Sequence, residues 1–497
     1  MPLIDFNWDH GIIPLESIVI GYSRMFAACT CDRRIIHFIG IGGIGMSGLA
    51  EILQSLGYMI QGSDKATSQN VDRLEKIGIT TFIGHNSKNV ENANVVVFSS
   101  AISQDNPELL RARELKIPCL SRAEMLSQIV RFKKSVVVAG SHGKTTVTSI
   151  CATILEMASL SPTIVNGGVI NAYHTNAKLG SGDWSVVESD ESDGSFTKFF
   201  PTIGIITNID REHILHYGSF ESLKTAFRTF IDNLPFYGAG VACIDDREVL
   251  EVVRNITDRK IITYGIDNPD AMIRAVNIRK HGAGAVFDVG YLGTTINSVS
   301  ISLLGDHNIL NALAAIGMAM EVEVDIEVVK STLATFTGVN RRFTLVGTLG
   351  GACVIDDYAH HPTEIKALLK SARQRESGKV MIICQPHRLT RLNMLFTEFR
   401  NCFNEADEVV IAPVYQPVYQ DPHAEPNALL TSDDLYVALQ EDGKNVKFVH
   451  DKSELQEFLN DMIVAGKLCD NDIVLFSGAG DISNWAYEIV SKIGTRQ

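Results

Sequence analysis

The 497-residue chain is too long for one ordinary core and is sized for two to four domains. Its 44 Lys and Arg against 58 Asp and Glu give a formal charge of −14. That balance argues against nonspecific nucleic-acid binding and requires any anionic substrate to be held by local donors. No uninterrupted apolar run approaches about 18 residues, which argues against a membrane-spanning helix. The nine scattered cysteines form no C-x-x-C pair and read as reduced thiols of a cytoplasmic protein.

Residues 1–33 do not read as a secretory signal, because Asp5, Asp9 and Glu16 come early and Pro14 interrupts the only apolar patch. Met25 stands just before the first clear strand, so residues 1–24 are expected to be a dispensable extension or the product of an upstream start codon. From Ile35 to Ile39 the chain reads as a strand. It runs into Gly40-Ile-Gly42-Gly43-Ile-Gly45-Met46 and then a helix through Leu56. A second strand, from Tyr58 to Gln61, ends in Gly62-Ser63-Asp64. A glycine loop with an acid about 20 positions on is the dinucleotide fingerprint. Any nucleotide phosphate fits that turn, and Asp64 can equally bond another hydroxyl or cap a loop. Further strands are predicted at 80–83, at 95–98 leading into Ser99-Ser100-Ala101, and at 117–120. The charged run Arg131-Phe-Lys-Lys134 reads as a joint.

Four apolar residues, Val136 to Ala139, predict a buried strand, and Val147, Ile150, Ile154 and Leu155 recur at helical spacing. Between them stands Gly140-Ser141-His142-Gly143-Lys144-Thr145-Thr146. Strand, glycine turn, Lys-Thr and helix together make a phosphate cradle: backbone N–H groups turn towards the anion and the helix N-terminus adds positive charge. Lys144 can reach the β- and γ-phosphates, and Thr145 can ligate the accompanying Mg2+. The general pattern wants glycine at 138, where Val138 stands. Two later strands deliver polar residues at their carboxyl ends: Glu188-Ser-Asp190-Glu191-Ser-Asp193, and Asn208-Ile-Asp-Arg-Glu212-His213. Glu188 or a neighbouring carboxylate suits Mg2+, with His213 able to complete a second site. Residues 261–304 alternate and predict an antiparallel excursion. His307-Asn308-Ile-Leu-Asn311 opens an apolar helix, with both asparagines on one face to grip an adenine edge or cap the helix.

In the last third, Val354–Pro362 carries Asp356-Asp357-Tyr358-Ala-His360-His361, and Val380–Cys384 delivers Gln385-Pro-His-Arg388-Leu-Thr-Arg391. Strands at 408–414, 446–449 and 473–476 complete a mostly parallel sheet. Two arginines three apart after a buried strand suit bidentate recognition of a carboxylate or phosphate.

Seven stretches, in order from about residue 34 to 485, resemble the Mur ligase family. They are Gly40–Ser47, Gly140–Thr146, Glu188–Asp193, His307–Asn311, Gly338–Phe343, Asp356–Pro362 and Pro386–Arg391. The resemblance implies an α/β fold of three domains. A Rossmann-like domain (34–131) would hold a UDP-sugar, a central P-loop ATPase-type domain with the antiparallel excursion (132–342) would hold ATP, and a C-terminal Rossmann-like domain (343–497) would bring an amino acid. It implies ATP-dependent condensation of L-alanine with the lactyl carboxylate of UDP-N-acetylmuramate through an acyl phosphate. Neither nucleic acid nor membrane takes part, and the chain would be a monomer or homodimer.

By that resemblance Gly140 to Thr146, Asn308, Asn311, Arg342 and Asp357 serve ATP, and Thr145, Glu188 and His213 serve metal. Gly40, Gly42, Gly43, Gly45, Met46, Ser63, Asp64, Ser99 and Ser100 serve the UDP-sugar. Tyr358, His360, Arg388 and Arg391 line the alanine site, with Lys144, Glu188, His213, Arg342 and His360 taking catalytic parts and His360 a candidate base. Ser141 replaces the usual Thr and Ser189 the usual Ala. Some branches carry a carbamylated lysine after the metal histidine. Phe227 takes that place here and Lys224 is the nearest lysine, so no carbamylation is expected. The alternatives are a ligase that recycles an intact tripeptide onto the same sugar, a nicotinamide-dependent oxidoreductase using the 40–45 loop, and an inactive ATP-binding scaffold.

Two anions must meet in such a reaction. At 4 Å two unit charges repel by about 4 kcal/mol at an effective dielectric of ~20, so cations are required. Groups carried on three domains also require closure about joints near 131–135 and 342–344.

Overall fold

The computed structural model describes residues 34–496 apart from 100, 131–132, 172–174, 283, 376–377 and 417–428. The expectations for residues 1–33 and for Ser100 fall outside the described residues. The chain divides into two compact units that meet in sequence between Met125 and Leu126.

The first unit is a five-stranded parallel sheet in the order Thr80–Ile83, Met59–Asp64, Ile35–Ile39, Val95–Phe98, Cys119–Ser121. The apolar runs that predicted strands are buried here, with Ile36, Phe38, Ile39, Val96 and Val97 all below 5 % exposure. The order reverses at Ile35–Ile39, so its carboxyl end opens on a crevice of the kind that binds ligands in α/β sheets. The Gly40 loop fills that end. Helix Ile44–Ser55 begins after Gly43 with no side-chain cap, which leaves its first N–H groups for other acceptors.

The second unit holds two sheets. The larger has ten strands in the order Thr294–Ile301, Gly284–Tyr291, Ile273–His281, Lys260–Gly265, Ala239–Cys243, Ile203–Ile206, Lys134–Ala139, Trp184–Glu188, Thr163–Ile170, Thr175–Lys178. Three adjacent parallel strands, Ile203–Ile206, Lys134–Ala139 and Trp184–Glu188, end side by side. They deliver Thr207–His213, the Lys144 loop and the Glu188 acids to one place. Helix Lys144–Met157 covers this sheet with Val147, Ile150, Ile154 and Leu155, none of them exposed.

The antiparallel excursion is shorter than its sequence pattern. Lys260–Gly265 pairs parallel to Ala239–Cys243, with its alternating Ile262 and Tyr264 facing the core. Antiparallel pairing begins at Ile273 and runs through Ile301. At the opposite edge an unforeseen hairpin joins Thr163–Ile170 to Thr175–Lys178.

The smaller sheet has seven strands in the order Val446–Phe448, Glu408–Ile411, Val380–Cys384, Ile473–Ser477, Ala352–Asp357, Thr344–Leu349, Thr495–Arg496. Its central stretches Val380 to Cys384 and Ile473 to Phe476 are apolar and buried, as a sheet covered on both faces requires. The joint between the two sheets is taut: Arg341 and Phe343 both hold positive φ, and Asp357 accepts the Phe343 N–H at 2.7 Å. Among the described residues no helix is long and apolar enough to cross a membrane.

Candidate active site

The Lys144 loop is set by backbone geometry. Gly140 sits at φ +134°, and a Cβ there would stand 2.1 Å from Thr207 Oγ1, so no side chain fits. Gly143 adopts φ +81° beside Asn311 Oδ1. The strand-end residues Thr207 and Asn208 brace the turn, with Thr207 Oγ1 donating to the His142 carbonyl at 2.6 Å and the His142 N–H donating to Asn208 Oδ1 at 2.8 Å. Lys144 Nζ donates to the Gly140 and Ser141 carbonyls (2.5 and 3.1 Å) and to Glu191 Oε2 at 2.7 Å. Burial opposes its charge, but Glu191 and Asp190 outweigh burial and raise its pKa, so the ammonium persists.

Thr145 Oγ1 donates to Glu188 Oε1 at 3.0 Å, and the other Glu188 oxygen accepts the Gly167 N–H. These two predicted metal ligands are therefore in contact. His213 instead groups with Asp190 and Glu191, their ligand atoms all within 4.8 Å of one another. Glu191 Oε1 is buried without a hydrogen-bond partner, and His213 Nε2 lies 3.9 Å from it. Hard oxygen donors with an unmatched buried lone pair suit a divalent cation. His213 is held at φ +57°, an uncommon conformation that turns it towards the acids. Lys224 is engaged by Glu221, Glu248 and Glu251, and these carboxylates raise its pKa. Carbamylation needs a neutral amine, which this setting opposes, and Phe227 is buried against Phe196.

A cavity of about 820 Å3 opens beside the loop, lined by Gly143, Asn308, Asn311, His307, Arg342 and Asp357 among others. Asn311 Nδ2 donates to Asn308 Oδ1, and Asn308 Nδ2 donates to the Leu304 carbonyl, fixing both side chains at its wall. Burial raises the Asp357 carboxyl to about 6, and the carboxyl braces the joint through the Phe343 and Ala359 N–H groups. Arg341 and Arg342 both stack on Tyr358, at 4.9 and 5.3 Å.

His360 Nδ1 lies 2.9 Å from the Tyr358 carbonyl, which can only accept. The proton is thus assigned to Nδ1, leaving Nε2 a lone pair. Burial lowers this imidazole's pKa to about 4, which keeps it neutral. Arg391 pairs with Glu212 at 3.2 Å, and Arg388 takes φ +66° at the start of helix Leu389–Met394. His387, to which the sequence reading gave no part, stacks on Tyr415 beside His360.

In the first unit Asp64 braces the glycine loop. Its Oδ2 accepts the Gly42 N–H at 2.8 Å and its Oδ1 accepts the Lys65 N–H. The Ser63 carbonyl accepts the Gly40 and Ile41 N–H groups. Two side chains assigned to the UDP-sugar lie buried. Met46 is 2 % exposed and belongs to the core, as expected of an apolar first-turn residue facing the sheet. Ser63 is fully buried, because its hydroxyl donates to the buried Glu108 at 2.5 Å. Arg122, which the sequence reading passed over, lies within about 3 Å of a Cβ built at Gly45 and brings a cation to the helix start. Ser99 Oγ stands near Gly40.

This is a three-domain α/β protein with a phosphate loop on its central sheet and an acid–histidine cluster at the neighbouring strand ends. Three family profiles match in order: Mur ligase family, catalytic domain, at 35–134; Mur ligase middle domain, at 138–319; and Mur ligase, glutamate ligase domain, at 341–480. The chain belongs to the Mur ligase family. It is 48% identical over 471 residues to the UDP-N-acetylmuramate–L-alanine ligase of Methylorubrum extorquens strain PA1, covering 93% of this chain and 98% of the relative. It is 46% identical over 468 residues to the enzyme of the same name from Brucella ovis, covering 92% and 97%. Among solved structures it resembles a UDP-N-acetylmuramate–alanine ligase from Thermotoga maritima, with TM-score 0.77 and 30% identity over 92% of this chain and 98% of that one. A murein peptide ligase from Psychrobacter arcticus shares the fold at TM-score 0.67 and 21% identity, covering 93% and 99%.

Proposed function

We propose that this chain joins L-alanine to the lactyl carboxylate of UDP-N-acetylmuramate, converting ATP to ADP and phosphate, in the first peptide-adding step of peptidoglycan precursor synthesis. The observation that carries the reading is near full-length similarity to relatives bearing that enzyme's name. The modules would be residues 34–131 for the UDP-sugar, 132–342 for ATP and 343–497 for the amino acid, working in the cytoplasm.

A carboxylate does not condense with an amine unaided, because its oxygen leaves poorly. Transfer of the γ-phosphoryl group gives an acyl phosphate; the amine then displaces phosphate. Lys144 stabilises charge on the transferring group, and the loop N–H groups orient the triphosphate. Thr145 and Glu188 would hold one magnesium ion, and His213 with Asp190 and Glu191 a second; when bound, magnesium would neutralise charge on the phosphates. Asn308 and Asn311 face the base, while Arg342 and Asp357 hold the joint beside the nucleotide. Arg388 and Arg391 take the alanine carboxylate with Tyr358 beside them, and His360, kept neutral by burial, offers Nε2 as a hydrogen-bond acceptor to the amine.

The nicotinamide alternative is disfavoured, since all three matching family profiles are those of Mur ligases. The tripeptide-recycling reading is disfavoured, since the solved peptide ligases are 21–27% identical to this chain, against 46–48% for the L-alanine ligases. Supplying UDP-N-acetylmuramate, ATP and Mg2+ and comparing phosphate release with L-alanine, glycine, L-serine and tripeptide tests the assignment. L-alanine is expected to give the highest kcat/KM, and a preference for tripeptide would contradict it. Discrimination against glycine rests on one methyl, worth about 1–3 kcal/mol.

A further inference from the structure

One carboxylate touches the nucleotide loop, the joint and the amine site together. Glu364 lies in the first turn of helix Pro362–Arg375, its side chain only 13 % exposed. Its Oε2 accepts the His360 N–H at 3.0 Å and the His361 N–H at 3.3 Å. Its Oε1 faces His142 Nδ1 at 3.3 Å and Arg342 Nη1 at 3.8 Å. Capping a helix start needs only an acceptor, and an amide oxygen would serve. A nearly buried full charge is costly unless cations face it. Two do, and both come from the ATP-binding module.

His142 is a cation on geometry alone. Its Nε2 lies 3.0 Å from Asp210 Oδ2 while Nδ1 meets Glu364, and carboxylates only accept, so both ring nitrogens carry protons. Burial opposes that charge, but the two carboxylates outweigh it and raise the pKa to about 10. A second link runs alongside: Thr363 Oγ1 donates to the same Asp210 oxygen at 2.8 Å. The His142 backbone belongs to the phosphate loop, and the peptide at 360 carries the imidazole that faces the amine.

We propose that Glu364 is a positioning residue that couples occupancy of the phosphate loop to the amine site, so that a nucleotide settling on His142 and its neighbours orders the 360–361 peptide for the amino acid. The inference rests on the functional reading above. Any movement of the loop moves His142, the ion pair carries it to Glu364, and the two N–H bonds carry it to His360. Coupling of this kind is reciprocal: the factor by which nucleotide tightens amino acid equals the factor by which amino acid tightens nucleotide.

The test measures L-alanine binding by calorimetry at saturating UDP-N-acetylmuramate and Mg2+, with and without a non-hydrolysable ATP analogue. The wild-type protein should show tightening within the usual range of about 5–150-fold. Glu364→Gln keeps an acceptor for both N–H groups and removes the charge, so the tightening should collapse towards onefold while each ligand alone still binds. That ratio is a readout a merely structural residue would not move. His142→Gln should collapse it equally, and the double variant should do no more. Tightening that survives in Glu364→Gln, or its absence from the wild type, overturns the proposal. Should Glu364→Gln fail to fold, His142→Gln removes the same ion pair from its other end, and tightening that survives there overturns the proposal. Failure of the wild type to turn over UDP-N-acetylmuramate with L-alanine would instead strike the functional reading.

Discussion

Lys144→Ala removes two things at once, and the structure allows them to be separated. The first, on the proposed function, is the cation at the transferring phosphoryl group. A unit charge about 4 Å from that group at an effective dielectric of ~20 contributes about 4 kcal/mol, or about 10^3-fold in kcat. The second is the partner of Glu191, a carboxylate only 1 % exposed and 2.7 Å from the ammonium. Removing one member of a buried pair costs about 3–5 kcal/mol of stability when the other stays charged. Burial already pushes the Glu191 carboxyl up to about 7, so without the lysine it takes a proton and the cost falls below that range. Adding Glu191→Gln to Lys144→Ala should therefore restore thermal stability without restoring turnover. Phosphate release gives kcat, calorimetry gives UDP-N-acetylmuramate affinity, and a melting curve gives stability. UDP-sugar affinity should change little, since the loop assigned to it lies in the other unit. Equal loss of turnover and UDP-sugar binding, or recovery of kcat in the double variant, would refute the division of labour.

Glu108 is fully buried; burial would raise its pKa, but His37, Ser63 and Asn89 outweigh burial and take it from 4.5 to about 2. That displacement corresponds to about 3 kcal/mol of stability, present above the unfolded pKa near ~4.3 and lost as pH falls towards about 2. Hydrogen exchange at the Ile35–Ile39 amides should show Glu108→Gln less protected at pH 7 and the gap narrowing below pH ~4; a pH-independent gap would contradict this. Gly140→Ala forces a Cβ onto Thr207 Oγ1, so ATP affinity should drop at least about tenfold, ~1.4 kcal/mol, with Thr207→Ala restoring part of it in a titration. His142, faced by Asp210, Glu364, Glu212 and His361, has a raised pKa, so its stabilisation is full below ~6.5 and is lost as pH rises through about 10. The melting temperature of the wild type should fall towards that of His142→Gln between pH 8 and 11, and a constant difference would contradict the ion pair.

Local patterns were legible because they are local. The strand, glycine turn and helix from Lys134 to Met157 follow from a buried run, two glycines and helical spacing, and the structure adds the groups that meet them, Glu191 on Lys144 and Thr207 and Asn208 on the turn. Contacts made by folding were not. His142 and Glu364 are 222 residues apart, and nothing in His-His-Pro-Thr-Glu marks its acid as a bridge rather than a surface charge. Asp210 and Thr207 were visible as strand-end residues, but their hold on the loop depends on Ile203–Ile206 lying beside Lys134–Ala139. Ser63 and Met46 stand beside the glycine loop in sequence, but which way their side chains face, inward in both, is decided by packing against the sheet. The range 261–304 misled because Ile262 and Tyr264 alternate in a parallel strand much as an antiparallel one would.

The central claim is that ATP activates the sugar acid as an acyl phosphate, and oxygen isotope transfer tests it most directly. With UDP-N-acetylmuramate carrying 18O in its lactyl carboxylate, each phosphate released in the presence of L-alanine should contain one labelled oxygen, because the carbon–oxygen bond breaks when the amine attacks. Unlabelled phosphate would mean that ATP is hydrolysed by water, and label found in AMP would mean an adenylate; either result would contradict the account.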